Sequence, residues 1–199
     1  MTRQTTKPIP HTSLAVSART ARELVHFIHE GWIDLDPPYQ RGHTWTYSQR
    51  VELVRSWLLG LLGGLIILSD RTNPDWIGAR SGDSAAGDVV WGLVDGKQRL
   101  SAARAFFDGD LPVPASWFEP DLVVATEPTD DGPYVRYTQL TRQGQLKVNN
   151  RAMFGYCELK TARTIQDEAA IYVLVNSAGT AQTSEDLDRA RAIAAGRPS

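Results

Sequence analysis

The run from Val89 to Asp110, VVWGLVDGKQRLSAARAFFDGD, constrains the fold of this chain more than any other stretch. Val89 to Val94 is a short, β-branched apolar run, which predicts a buried strand. It stops at Asp95-Gly96. Leu100, Ala103 and Phe107 then recur at helical spacing with Ala102 and Phe106 beside them, and Gly109 falls where a helix C-cap is expected. The unit is strand, tight turn, helix, with Asp95, Gly96, Lys97, Gln98 and Arg99 in a row across the turn.

That order has a chemical meaning. A helix N-terminus presents unpaired N–H groups and a partial positive charge, which suits a phosphate. Gly96 lets backbone approach a ligand closely. Lys97 and Arg99 add positive charge, and Arg can grip phosphate in a bidentate fork. Asp95, at the strand end, can hold Mg²⁺ or accept a proton. The alternative is a βα turn whose basic first turn is simply solvated, at a small cost because cations there oppose the helix dipole.

The chain has 199 residues, enough for one domain with a real core. The expected layout is a flexible lead over residues 1–13, then a single domain over 14–196 with an irregular basic segment at 132–165. Hydrophobic content is 42% and net charge −2, so no global basic field draws nucleic acid and any such contact needs a local patch. No apolar run reaches membrane-spanning length. The opening MTRQTTKPIPHTS lacks an apolar core, so no secretory signal is expected. A single cysteine, Cys157, excludes an internal disulfide; a reducing cytoplasm is the expected compartment.

In chain order, Ser17 or Thr20 is expected to cap a helix carrying Leu24, Val25, Phe27 and Ile28, stopped by Gly31. A short strand over Trp32–Leu35 follows. The segment from Asp36 to Trp45, with two prolines, a glycine and Tyr39, Gln40, Arg41 and His43, reads as a loop at a ligand edge, or as a loop pinned by its aromatic residues. Thr46 and Gln49 have capping-box spacing, and Val51, Val54, Trp57, Leu58 and Leu61 form the expected core face of the next helix. Leu65–Leu68 reads as a buried strand and residues 70–88 as a loop. Asp121–Ala125 and Tyr134–Thr138 are weaker strand candidates. From 132 to 165, Arg136, Arg142, Lys147 and Arg151 interleave with Tyr134, Tyr137, Phe154 and Tyr156, a mixture that suits phosphate contact with base stacking, or a solvated face. Asp167–Val175 opens acidic and turns apolar, as a helix does; Asn176 and Gly179 are expected to turn the chain into a polar helix over Ser184–Ala195. There is no Walker loop, no H-E-x-x-H, no G-x-S-x-G and no histidine set with metal-ligand spacing.

Three blocks occur in order: Pro38-Tyr39-Gln40-Arg41 with Trp45; Val94-Asp95-Gly96-Lys97-Gln98-Arg99-Leu100; and Val175-Asn176-Ser177-Ala178-Gly179-Thr180 before an acidic helix start. Together they resemble the N-terminal domain of GmrSD-type, modification-dependent restriction endonucleases, in the ParB/sulfiredoxin-like superfamily, over roughly residues 17 to 195. The resemblance implies an α/β (α+β) fold, a small mixed sheet flanked by helices, and a site where the D-G-x-Q-R turn meets the Q-R loop. It implies binding of an NTP, ATP or GTP, with Mg²⁺, and hydrolysis that licenses DNA cleavage in bacterial defence against phage. Carried over by residue, Asp95, Gln98, Arg99 and Arg41 are catalytic, Gly96, Lys97, Gln40, Tyr39, Ser101 and Asn176 bind nucleotide, and Asp95 is the Mg²⁺ ligand. DNA, modified or not, and a separate nuclease or other protein are the implied partners. Two positions depart from the family pattern: Lys97 stands where Gln is usual, and Leu174 where Arg is usual.

Three readings follow. One is an enzyme that hydrolyses or transfers phosphoryl groups with DNA; the second is a kinase acting on a hydroxyl of a modified DNA base; the third is a DNA- or protein-binding module whose site has decayed, which Leu174 supports.

Overall fold

The computed structural model describes residues 14–40, 44–77, 89–177, 188 and 191–196. The fold is mixed α and β. A five-stranded sheet runs in the order β1 (Val16–Thr20), β8 (Met153–Leu159), β3 (Leu65–Asp70), β4 (Trp91–Asp95), β2 (Ile33–Asp34). β8 lies antiparallel to β1 and parallel to β3; β3 and β4 are antiparallel; β4 and β2 are parallel. Both faces of the sheet are covered, which explains why β3 and β4 read as continuous apolar runs rather than alternating ones. Ile66, Leu68 and Leu93 pack on one side with Leu24, Trp57, Leu100 and Phe106. Ile67, Val94, Cys157 and Leu159 pack on the other with Ala169 and Tyr172. The period-two alternation is there, but both phases are buried.

The helices α1 (Ala21–His29), α2 (Tyr47–Leu58) and α3 (Lys97–Asp108) supply the first layer, and α5 (Ile165–Ser177) packs against β4 from the second. Thr20 caps α1, its hydroxyl accepting from the Glu23 N–H at 3.1 Å. Ser17, the other candidate, lies in β1, a strand not foreseen. The expected capping box of α2 forms, with Thr46 and Gln49 exchanging hydrogen bonds. Val54 and Trp57 face inward, and the Trp57 ring meets Phe154 edge-on at 5.3 Å. Burying each such side chain contributes about 1.5–3 kcal/mol. Leu61 departs from the expected face: α2 ends before it, the chain turns at Gly60, and Leu61 is 58% exposed.

A second, antiparallel sheet contains β5 (Val113–Pro114), β7 (Gly132–Val135) and β6 (Glu127–Thr129), with β7 central. The strand expected over 121–125 is instead a 3₁₀ turn at Pro120–Leu122, with Val123 alone bridging Leu140. The prolines leave too few N–H donors and too short a run for a ladder. The strand expected over 134–138 ends at Val135 and becomes a 3₁₀ turn at Tyr137–Gln139. The segment 132–165, expected to be irregular, carries β7, α4 (Arg142–Arg151) and β8, so it supplies a central strand of the main sheet. Gly155, Glu158 and flanking cations had obscured the strand signal. Asn176 is helical rather than a turn residue, because α5 continues through it. The lead over 1–13, residues 78–88 of the expected loop, Gly179 and most of the polar helix at 184–195 lie outside the described residues; 188 and 191–194 are helical. Among the described residues no helix is long and apolar enough to cross a membrane.

Candidate functional site

β4 hands over to α3 at Gly96, whose φ of 105° and ψ of 15° place it in the left-handed region. A Cβ there would lie 2.4 Å from Ile66 Cδ1, so any side chain would have to displace that methyl as well as adopt a left-handed backbone. No side chain caps α3, so its first-turn N–H groups receive no side-chain acceptor. Around this helix start the charged residues pair locally. Arg99 Nη2 donates to Asp95 Oδ2 at 2.7 Å and to the Leu65 carbonyl at 2.8 Å. The i,i+4 spacing places both on one side of the turn. Lys97 pairs with Asp36, and Ser101 sits half-buried one turn further along α3.

The loop after Pro38 is fixed to the same turn at two places. Gln40 Nε2 donates to the carbonyls of Leu93, at 2.9 Å, and Val94, at 2.6 Å. These contacts orient the amide, and they leave the buried Gln40 Oε1 with no donor. The Trp45 N–H donates to Gln98 Oε1 at 3.1 Å. Gln40 is thus tied to the β4 end and Trp45 to the α3 start. Arg41, expected in this cluster, lies outside the described residues. Arg99 Nε, like Gln40 Oε1, is buried without a partner. Asn176 sits near the C-terminal end of α5, its Nδ2 donating to the Tyr172 carbonyl at 2.8 Å. Leu174, where the resemblance leads to the expectation of a cation, is 64% exposed.

Behind β4 lies a buried charge network that sequence reasoning missed. Glu168 is fully buried and Arg71 only 6% exposed. Arg71 donates to Glu168 from Nε at 3.0 Å and Nη2 at 2.7 Å, and to Asp34 Oδ2 from Nη1 at 2.8 Å. The Tyr39 hydroxyl lies 3.0 Å from Glu168 Oε2 and 3.1 Å from the Leu93 carbonyl. Burial and the neighbouring Glu168 charge push the Tyr39 phenol well above its ordinary range, so it stays a donor. Burial works against the Arg71 charge, but the hydrogen bonds and charges of Glu168 and Asp34 outweigh it and raise its pKa. Gly92 makes room: a Cβ there would lie 2.6 Å from both the guanidinium and Glu168 Oε1. The available sequence signal was positional. The Thr164 hydroxyl caps α5 by accepting from the Asp167 N–H, and the Asp167 carboxylate accepts in return from the Arg163 and Thr164 N–H groups, whereas Glu168 shares a face with the buried Tyr172 four residues on.

The four basic residues proposed for nucleic acid separate into two groups. Arg136 is held by Glu127 and by the Gly109 carbonyl, tying β7 to β6 and to the end of α3. The hydrogen bonds to Arg136 hold the exposed Glu127 carboxyl below its usual range. Arg142, Lys147 and Arg151 all lie exposed on α4. Among the described residues no group of three His, Cys, Asp or Glu side chains is placed to hold a metal ion. The family model described as the GmrSD restriction endonuclease, N-terminal domain, matches residues 22–193. No curated protein matches the chain.

Proposed function

Since the chain belongs to the family of GmrSD restriction endonuclease N-terminal domains, we propose that it acts in modification-dependent restriction of DNA, and that it couples this to an NTP bound at the β4–α3 turn. The observation that carries the reading is the uncapped start of α3, with Asp95, Lys97 and Arg99 around it and with Gln40 and Trp45 each hydrogen-bonded to the turn. A triphosphate fits the donor set: backbone N–H groups at a helix start, two cations and one carboxylate. Two buried, unpartnered polar atoms, Gln40 Oε1 and Arg99 Nε, stand at the same turn.

The NTP with Mg²⁺ would supply the phosphoryl group and a cation that neutralises it. Asp95 would hold Mg²⁺ with water and phosphate oxygens completing the shell, since Mg²⁺ commonly takes only one or two carboxylates. Arg99 would move its charge from Asp95 to phosphate, leaving that carboxylate free. Lys97, released from the exposed Asp36, would add a second cation. Gln40 holds to the β4 end, Gln98 holds Trp45, and Tyr39 anchors to the sheet.

Binding and phosphate release with ATP, GTP and CTP, each with Mg²⁺ and with or without modified DNA, test the reading. Asp95→Ala is expected to lower hydrolysis at least a hundredfold, the scale on which removing one charge-stabilising group acts. Absence of binding and hydrolysis with every NTP refutes it. Labelled ATP with hydroxymethylated DNA separates transfer from hydrolysis, since a DNA kinase leaves label in the DNA. A binding module without turnover is the second reading. The internal pairing of Asp95 with Arg99 and of Lys97 with Asp36 favours it, as does Leu174. Full activity in the cell for Asp95→Ala decides for it.

A further inference from the structure

α4 reads RQGQLKVNNR, with three cations and no acid. Gly144 and Val148 face inward, which leaves Arg142, Gln143, Lys147, Asn150 and Arg151 exposed. Among the described residues no carboxylate pairs with Arg142, Lys147 or Arg151. Elsewhere on the surface, Arg19, Arg55, Arg136 and Arg163 have acidic partners, whereas Arg22 on α1 and Arg104 on α3 have none among the described residues; α4 is set apart by carrying three such cations and no acid. Beside α4 opens a cavity of about 180 Å³, lined by Trp117, Phe118, Glu119, Leu122, Lys147 and Arg151 among others. At about 30 Å³ per water this is room for roughly six waters. Aromatic and aliphatic side chains, two cations and one carboxylate line it together.

We propose that α4 is the face that lies on DNA, and that the adjoining cavity takes one unstacked base. The proposal rests on the DNA-acting reading above but not on the nucleotide site. Arg142 and Lys147, with Arg151, which gives one N–H to the Leu58 carbonyl at 3.2 Å and keeps its others, offer three cations to phosphates, and the exposed amides of Gln143 and Asn150 match base edges. Trp117 and Phe118, half-buried against the core, line the cavity and offer aromatic surface to a base withdrawn from the stack. Glu119, which would repel a phosphate, accepts a hydrogen bond from an exocyclic amine, so cytosine, adenine or guanine is favoured over thymine, which has none. An acidic protein segment would satisfy the cations, but it has no use for the carboxylate on the cavity wall.

The test uses the full chain and short duplexes carrying one unpaired cytosine, one unpaired thymine or none, titrated across salt. Three phosphate contacts predict a slope of log K against log salt near −2.7, and Lys147→Ala and Arg142→Ala should each reduce it by about 0.9. An unpaired cytosine should bind roughly tenfold more tightly than full duplex, because its unpairing is already done. Phe118→Leu should remove that preference. Glu119→Gln, at an exposed site that folding does not depend on, should narrow the preference for cytosine over thymine. DNA binding unaffected by the α4 variants, or no gain from an unpaired base, overturns the proposal while leaving action on DNA intact. No DNA binding at 50 mM salt removes both, and binding of an acidic polypeptide such as polyglutamate in its place identifies α4 as a protein contact. Nucleotide binding by the unaltered chain, measured alongside, reports separately on the β4–α3 site.

Discussion

Glu168→Gln removes one charge from the buried network behind β4. Glu168 meets Arg71 through two hydrogen bonds, at 3.0 and 2.7 Å, and Tyr39 through a third at 3.0 Å. Glutamine keeps the shape but turns an NH₂ toward a donor, so one contact of the fork is lost and the Arg71 charge is left with Asp34 alone. Breaking a buried pair by removing one partner costs about 3–5 kcal/mol. Asp34 remains at 2.8 Å and is partly solvated, which places the expected loss near the lower end, about 3 kcal/mol. For a chain of this size 1 kcal/mol shifts Tm by about 2–4 °C, so a fall of roughly 6–12 °C is expected. Urea unfolding should show a lower midpoint at unchanged slope. Adding Arg71→Met should cost much less than its effect alone, because the charge stranded by the first change is gone. A Glu168→Gln protein within 1 kcal/mol of the parent, or strict additivity in the double variant, would refute this account of the network.

Gly96→Ala should destabilise by about 2–5 kcal/mol, combining the left-handed backbone with crowding against Ile66; a loss under 1 kcal/mol in urea unfolding would contradict the turn geometry. Burial, then the nearby Glu158 charge, pushes the Tyr156 phenol from 10.0 up to about 12. The folded state therefore holds that proton more tightly. Its stabilisation is complete below pH 10 and is lost as pH rises through about 12. Tyr156→Phe should remove about 2 kcal/mol of that alkaline loss, read from urea midpoints between pH 9 and 12, and an unchanged profile would count against it.

The β4–turn–α3 unit was legible because its signals are local: an apolar run, a glycine that must turn, and helical spacing ending at Gly109. The caps at Thr20 and Thr46 are equally short-range. The pairing of Gln40 with the Val94 carbonyl and of Trp45 with Gln98 is carried by tertiary packing, and only the resemblance brought those segments together beforehand. β8 was missed because its strand character comes from burial between two neighbours, while its own letters include Gly155 and Glu158. Arg71 and Glu168, 97 residues apart, pair in the interior; nothing near either one announces the other. Arg136 and Lys147 looked alike as basic letters, and only the position of Glu127 separates a tied cation from an available one.

The place of β8 has a consequence for biosynthesis. It is inserted between β1 and β3, so Ser17 meets Tyr156 across 139 residues of chain. On the ribosome, the first strand and the third emerge with no partner between them and must wait until Met153–Leu159 has been made. Long-range closure of this kind slows folding and leaves strand edges open in the interim. The sheet is completed late and from its middle, so no amino-terminal portion ending before Leu159 contains the means to assemble it.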